Sequence, residues 1–331
     1  MAAAETLEVP NREDELPLLF IHRIPQFGLF FKPRLLTKFR LFDPLDSSVD
    51  QSIAEAVYNS ARVLLCVGPS RLASDTLELL PELKVVVGSS AGIDHIDLDE
   101  CNRRGIAVTN AGDAFSADVA DYAVGMLIDV LRKVNAGDRF VRQGLWAKGA
   151  EFQLGSKLGG KRIGIVGLGS IGFLTAKRLK AFGCTIAYNS RKEKPSLPFQ
   201  YYQSVVELAE NSDALIVCCA LTDETFHIIN KEVTGALGKD GVIINVGRGH
   251  LIDEKELVKS LVEGDIGGAG LDVFENEPHV PVELYKLHNV VLSPHKAVLT
   301  PESFAALEDL VMANLEAAFS NKPLLSPVSF P

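Results

Sequence analysis

A chain of 331 residues has room for about two domains at about 150 residues each. Apolar residues make up 47% and charged residues 23%, enough for a sizeable core, which excludes a disordered chain or a small disulfide scaffold. Lys and Arg total 33 against 43 Asp and Glu, so the formal net charge is −10, and that sign excludes a broad nucleic-acid or anionic-membrane partner.

The five cysteines, Cys66, Cys101, Cys184, Cys218 and Cys219, are odd in number and contain no CxxC pair. They read as reduced thiols in a reducing compartment. No apolar run approaches the ~18 residues of a membrane span. The acidic start of the chain has no signal core, and Ser329-Phe330-Pro331 is not a peroxisomal address. A cytoplasmic protein is expected.

From Leu18 onward the pattern alternates between strands and helices. Strands are predicted at 63–67, 83–87, 106–109, 162–166, 185–188, 214–219, 242–246 and 290–292. Helical spacing links most of them, which argues for parallel sheets covered on both faces. One long helix carries Val119, Tyr122, Ala123, Met126, Leu127, Val130 and Leu131, with Ser116 as its expected cap. Its apolar positions extend beyond one core-facing stripe and it contains Gly125, which argues for a second face against a partner copy. A second long helix runs from Pro301 to Phe319.

The dinucleotide fingerprint lies between these helices. The expected fold is therefore α/β, with two Rossmann-like doubly wound parallel-sheet domains and the cofactor domain inserted into the other. Residues 113–296 are expected to form the NAD(P)-binding domain, and residues 1–112 with 297–331 the substrate-binding domain.

The fingerprint is Gly167-Leu168-Gly169-Ser170-Ile171-Gly172, which follows an apolar strand and opens an amphipathic helix. Gly167 is expected to permit the tight turn, Gly169 to admit the pyrophosphate, and Gly172 to pack helix on strand. Free N–H groups at the helix start would meet the phosphates.

The next strand ends in Asn189-Ser190-Arg191-Lys192, without the acid that would accept a ribose 2′-hydroxyl. A 2′-phosphate favours a hydroxyl and a guanidinium there, and Asn189 imposes no repulsion, so NADPH is expected to be preferred over NADH.

Further on, Val246-Gly247-Arg248-Gly249 brings an Arg between glycines to the end of an apolar strand, where a bidentate guanidinium suits an α-keto acid. Asp253 to Glu256 then reads as a helix-capping box. The segment from Asp272 to Pro278 and the later Ser293-Pro294-His295 supply a carboxylate and an imidazole for acid–base work, in which a buried Glu277 would favour the imidazolium form of His295. The other histidines, including His227 and His250, read as structural. No compact metal-ligand cluster is seen, and no metal is expected.

In this order and spacing these motifs resemble those of the D-isomer-specific 2-hydroxyacid dehydrogenases, in particular the plant glyoxylate/hydroxypyruvate and hydroxyphenylpyruvate reductase branch. The resemblance runs from about residue 60 to the C-terminus. It implies that Arg248 holds the substrate, Glu277 hydrogen-bonds His295, and His295 protonates the keto oxygen as hydride is delivered. It also implies a carboxylate-binding loop at Ser89 to Asp94, with Ser90, Ala91 and Gly92 at the substrate. Contacts to the cofactor are implied for Leu168 to Ile171, for Ser190, Arg191 and Lys192, and for Val246 and Asp272 near nicotinamide. Lys296-Ala297-Val298 departs from the small residues that many relatives carry after the His.

The expected activity is NADPH-dependent reduction of a small 2-oxo acid (hydroxypyruvate, glyoxylate or 4-hydroxyphenylpyruvate) to the D-2-hydroxy acid by a homodimer. A dinucleotide-sensing corepressor of the same fold is the rival reading. An NAD-linked phosphoglycerate or lactate dehydrogenase would require an acid at position 189.

Overall fold

The computed structural model describes residues 16–48 and 51–329. The acidic N-terminal stretch and the Phe330-Pro331 tail lie outside them. The chain divides into two compact units, one comprising the residues up to Ala114 and from Phe304 onward, the other Phe115–Ser303. These boundaries fall two and seven residues from those expected at 112/113 and 296/297.

The first unit holds a five-stranded parallel sheet of β1 (Leu18–His22), β2 (Arg40–Phe42), β3 (Val63–Cys66), β4 (Val85–Gly88) and β5 (Ala107–Thr109). Their spatial order is β2-β1-β3-β4-β5. The order reverses between β1 and β3, and such a switch point opens a crevice at the carboxyl ends of the strands. Phe20, Leu64, Cys66, Val86 and Val108 belong to the buried core on this sheet.

The second unit holds seven parallel strands: β6 (Arg162–Val166), β7 (Thr185–Asn189), β8 (Gln200–Tyr201), β9 (Ala214–Val217), β10 (Val242–Asn245), β11 (Gly268–Leu271) and β12 (Val290–Leu292). They run β12-β11-β10-β9-β6-β7-β8. This is the dinucleotide-binding order with one further strand at the edge, and its switch point lies between β6 and β9. β6, β9 and β10 are buried almost throughout, as strands covered on both faces require.

The eight predicted strands all form, two with the predicted bounds and six with ends shifted by one or two residues, and β1, β2, β8 and β11 join them. β11 reads Gly-Ala-Gly-Leu, a poor strand by propensity. A Cβ on Gly268 would lie 2.6 Å from Asn289 O and one on Gly270 2.7 Å from Ile244 Cδ1, so close packing sets this composition.

The helix Ser116–Arg132 forms as expected, but Phe115 occupies the cap position and makes no side-chain capping bond; Ser116 is already the first helical residue. Its apolar residues, including Val119, Ala123, Met126, Leu127 and Val130, are buried. The helix packs on β10, β11, β12 and the helix Ser170–Ala181. Its apolar excess is thus used inside the second unit and is no evidence of a partner. All five cysteines are free. Among the described residues no helix is long and apolar enough to cross a membrane.

Candidate active site

The Gly-rich turn joins β6 to the helix Ser170–Ala181, with Gly169 in the cap position and no side-chain cap. The first N–H groups of such a helix have no intrahelical partner. Gly167 has φ +99°, and a Cβ there would lie 2.5 Å from the Cys219 backbone. A Cβ on Gly172 would lie 2.1 Å from Gly167 O, so this glycine does pack the helix on the turn. At Gly169 no protein atom lies within 4 Å of the Cβ position. Nothing in the protein needs that space, which fits a cradle kept open for a phosphate. Leu168 is buried and offers its main chain; Gly169 and Ser170 are exposed and Ile171 is half-buried.

The segment after β7 is built onto this turn. Gly167 N–H donates to Asn189 O at 2.9 Å. The Asn189 amide donates to Tyr202 O and Gln203 O, both at 3.0 Å, so its identity is set by the neighbouring chain as well as by any ligand. An Asp there would face two carbonyls. Ser190 Oγ donates to Lys192 O at 2.7 Å. Arg191 and Lys192 are exposed and form no ion pair among the described residues. Lys194, by its sequence one more charge in a solvated loop, donates from its ammonium to Leu168 O and from its N–H to the buried Tyr188 hydroxyl at 2.7 Å. Three cations and an open helix start form a donor set suited to the phosphates of a dinucleotide, which the Ser190 hydroxyl can join on releasing Lys192 O.

The acid–base corner lies at the carboxyl ends of β10, β11 and β12. His295 Nδ1 pairs with Glu277 Oε2 at 2.8 Å. The pair is half-exposed, with side-chain exposures of 40% and 36%, where a buried Glu was expected. Burial alone would push the Glu277 carboxyl up. The His295 hydrogen bond and charge, the Phe274 N–H and the Arg248 charge outweigh it and bring the carboxyl below its ordinary value. Glu277 Oε1 accepts that N–H at 3.1 Å.

His295 sits at φ +53°, in the left-handed region that non-glycine residues seldom adopt. Asp272 holds it there. His295 N–H donates to Asp272 O at 2.7 Å, and Lys296 N–H and Ala297 N–H donate to the carboxylate at 2.8 and 3.0 Å. Asp272 is 1% exposed, and its carboxylate is turned to this loop. Ser293 Oγ donates to it at 2.6 Å. That uses the one serine proton, so the Tyr122 hydroxyl, 2.6 Å from Ser293 Oγ, is the donor in their bond.

Arg248 is placed by a neighbour the sequence did not reveal. The buried Asn245 donates to Arg248 O at 2.8 Å and accepts from Gly247 N–H at 3.0 Å, closing the turn after β10. Val246 is buried, and its N–H donates to Val217 O at 3.1 Å. A Cβ on Gly249 would lie 1.9 Å from the Phe274 carbonyl carbon. This glycine therefore seats the Arg248 turn on the segment leading to Glu277. His227 and Glu275 form a second pair at 2.7 Å, with the His227 ring stacked on Phe226.

The Ser90-Ala91-Gly92 loop belongs to the first unit. Ala111 N–H donates to Ser90 O at 2.9 Å and Asn110 Nδ2 to Ala91 O at 3.1 Å. Asp253 accepts from Glu256 N–H at 3.1 Å as the capping pattern predicts.

Comparison with known proteins is consistent with this geometry. The profile of the D-isomer specific 2-hydroxyacid dehydrogenase NAD-binding domain matches residues 124–297. A glyoxylate/hydroxypyruvate reductase of Arabidopsis thaliana is 58% identical over 317 residues, covering 95% of this chain and 98% of the relative. The hydroxyphenylpyruvate reductase of Plectranthus scutellarioides is 48% identical over 301 residues, covering 90% and 95%. Among solved structures, the NADPH-dependent glyoxylate/hydroxypyruvate reductase of Sinorhizobium meliloti, in complex with NADP and malonate, superimposes with a TM-score of 0.86 at 36% identity, covering 95% of this chain and 97% of that one. The chain belongs to the D-isomer specific 2-hydroxyacid dehydrogenases, oxidoreductases that bind NAD(P) and act on CH–OH groups.

Proposed function

We propose that the protein reduces a small 2-oxo acid to the D-2-hydroxy acid with NADPH, and that His295 is the general acid. The observation that carries this reading is the 2.8 Å pair between His295 Nδ1 and Glu277. With Nδ1–H committed to an ionised carboxylate, Nε2 is the nitrogen left to release a proton to the keto oxygen. Arg248 holds the substrate carboxylate and keto oxygen with its planar fork, and the main-chain N–H groups of Ala91 and Gly92, next to Ser90, receive the carboxylate. When bound, the nicotinamide cofactor would supply the hydride for the carbonyl carbon. Gly167 to Gly172 would hold its pyrophosphate, and Val246 and Asp272 would lie near its nicotinamide. Ser190, Arg191 and Lys192 hold the 2′-phosphate, and the absence of a carboxylate at position 189 supports NADPH over NADH. The named activities of the relatives support glyoxylate, hydroxypyruvate and a hydroxyphenylpyruvate, here taken as the 4-hydroxy acid, as substrates.

A homodimer belongs to the same reading. The exposed apolar residues that support it follow the Ser116–Arg132 helix: Val134, Val141, Trp146 at 73% exposure and Leu154 at 93%. A light-scattering mass near 35.8 kDa would contradict it. The reaction is tested by steady-state assay of the three 2-oxo acids with NADPH and with NADH. The reading expects turnover with at least one acid and a higher kcat/KM for NADPH; no oxidation of either cofactor would refute it.

A further inference from the structure

The first unit carries an aromatic side chain at its switch-point crevice that no motif points to. β1 and β3 are neighbours in the sheet although β2 separates them in sequence. The loops leaving their carboxyl ends therefore flank the crevice where open α/β sheets take ligands. Phe27 lies in the loop after β1 and Gly68 in the loop after β3. The Cβ position of Gly68 is 3.1 Å from both Cγ and Cδ1 of Phe27 and 3.3 Å from Cε1. The ring thus packs against the glycine, which sits at φ +60°. A side chain at position 68 would be strained at this φ and would press the ring outward by a few tenths of an ångström.

Both loops are fixed. Ile24 N–H donates to the buried Ser70 Oγ at 3.1 Å, and that hydroxyl donates to Val67 O at 2.6 Å. Phe27 N–H donates to Ile24 O at 3.0 Å, and Arg23, paired with Asp43 at 2.7 Å, reaches Phe27 O at 3.4 Å. The crevice also connects to the carboxylate loop, because Gly68 N–H donates to Ser89 Oγ at 2.8 Å, one residue before Ser90. Phe27 itself is half-buried, so part of the ring is left to meet a ligand.

We propose that Phe27, seated on Gly68, is a specificity-determining residue that closes the β1/β3 crevice to large substituents, so that 2-oxo acids with short side chains are preferred over aryl ones. This rests on the function proposed above, which places the substrate carboxylate at Ala91 and Gly92. Gly68 is hydrogen-bonded to Ser89, which immediately precedes that loop, so the crevice under the ring adjoins an acid held there. Glyoxylate and hydroxypyruvate fit beneath the ring, whereas 4-hydroxyphenylpyruvate must displace it. A hydrophobic pocket discriminates about 10- to 200-fold for a single methylene, so a whole ring gives ample margin.

The experiment measures kcat/KM for glyoxylate, hydroxypyruvate and 4-hydroxyphenylpyruvate in wild type, Phe27→Leu and Phe27→Ala, with thermal unfolding to check that each variant folds. Wild type is expected to favour the short acids by at least about tenfold. Phe27→Ala should raise the ratio of the aryl acid to glyoxylate by about 10- to 100-fold, with Phe27→Leu between. Because the ratio compares substrates within one variant, a general loss of activity does not move it. An unchanged ratio in folded Phe27→Leu or Phe27→Ala would overturn the assignment, as would a wild type that prefers the aryl acid, and either result leaves the proposed function standing. A wild type inert toward all three acids would overturn both.

Discussion

The acid–base corner and the loop after β7 are built on opposite plans. At the corner, Arg248, Glu277 and His295 are each held through the backbone by a residue whose own partners are accounted for: Asn245 and Gly249 for Arg248, the Phe274 N–H for Glu277, Asp272 for His295. In the loop, Asn189 and Lys194 fix the two ends, while Arg191 and Lys192 extend into solvent. The difference follows from the chemistry. Proton and hydride transfer tolerate little misplacement, and a 1 Å error can cost 10²-fold. A doubly charged phosphate is attracted over a longer range and accepts several geometries.

The largest effect that would break this contrast is expected at Gly249. An added Cβ 1.9 Å from the Phe274 carbonyl carbon must move one of the two catalytic segments. Gly249→Ala should lower stability by about 1–3 kcal/mol and kcat/KM by about 10²-fold. Gly169→Ala, where no protein atom lies within 4 Å, should leave Tm unchanged and weaken NADPH instead. Equal loss of Tm in the two variants would remove the distinction.

A somewhat smaller effect is expected in the loop. Arg191→Ala should weaken NADPH by about ten- to a hundredfold, the worth of a charge-assisted hydrogen bond, with NADH little changed. Equal weakening of both cofactors would make Arg191 a solvated residue only.

The smallest concerns Tyr122, three hydrogen bonds from the His295 loop. Tyr122→Phe removes the donor to Ser293 and should lower kcat about fivefold, as the loss of one ordinary hydrogen bond implies, with NADPH affinity retained. An unchanged kcat would show that Asp272 needs no such support.

Most of this architecture was legible in the sequence where local rules suffice. β-Branched runs marked eight strands, and the glycine spacing with its flanking strand and helix marked the dinucleotide turn. Arg248, Glu277 and His295 stand at strand ends in recognisable motifs. β11 was hidden because its glycines answer to Met126 and Asn289, neighbours distant in sequence. Asn245, Asp272 as the anchor of the His295 loop, Lys194 and Phe27 were hidden for the same reason: each acts through a partner that only the folded chain brings close. The expected Ser116 cap and the partner-facing helix misread local pattern where tertiary packing had used it.

The most direct test of the central claim is a paired measurement on His295→Ala: kcat for reduction of hydroxypyruvate or glyoxylate, and the Kd for NADPH by fluorescence titration. The account predicts that kcat falls by about 10²–10⁴, the range for a lost general acid, while Kd stays within about twofold of wild type. Wild-type-like turnover in His295→Ala would contradict it.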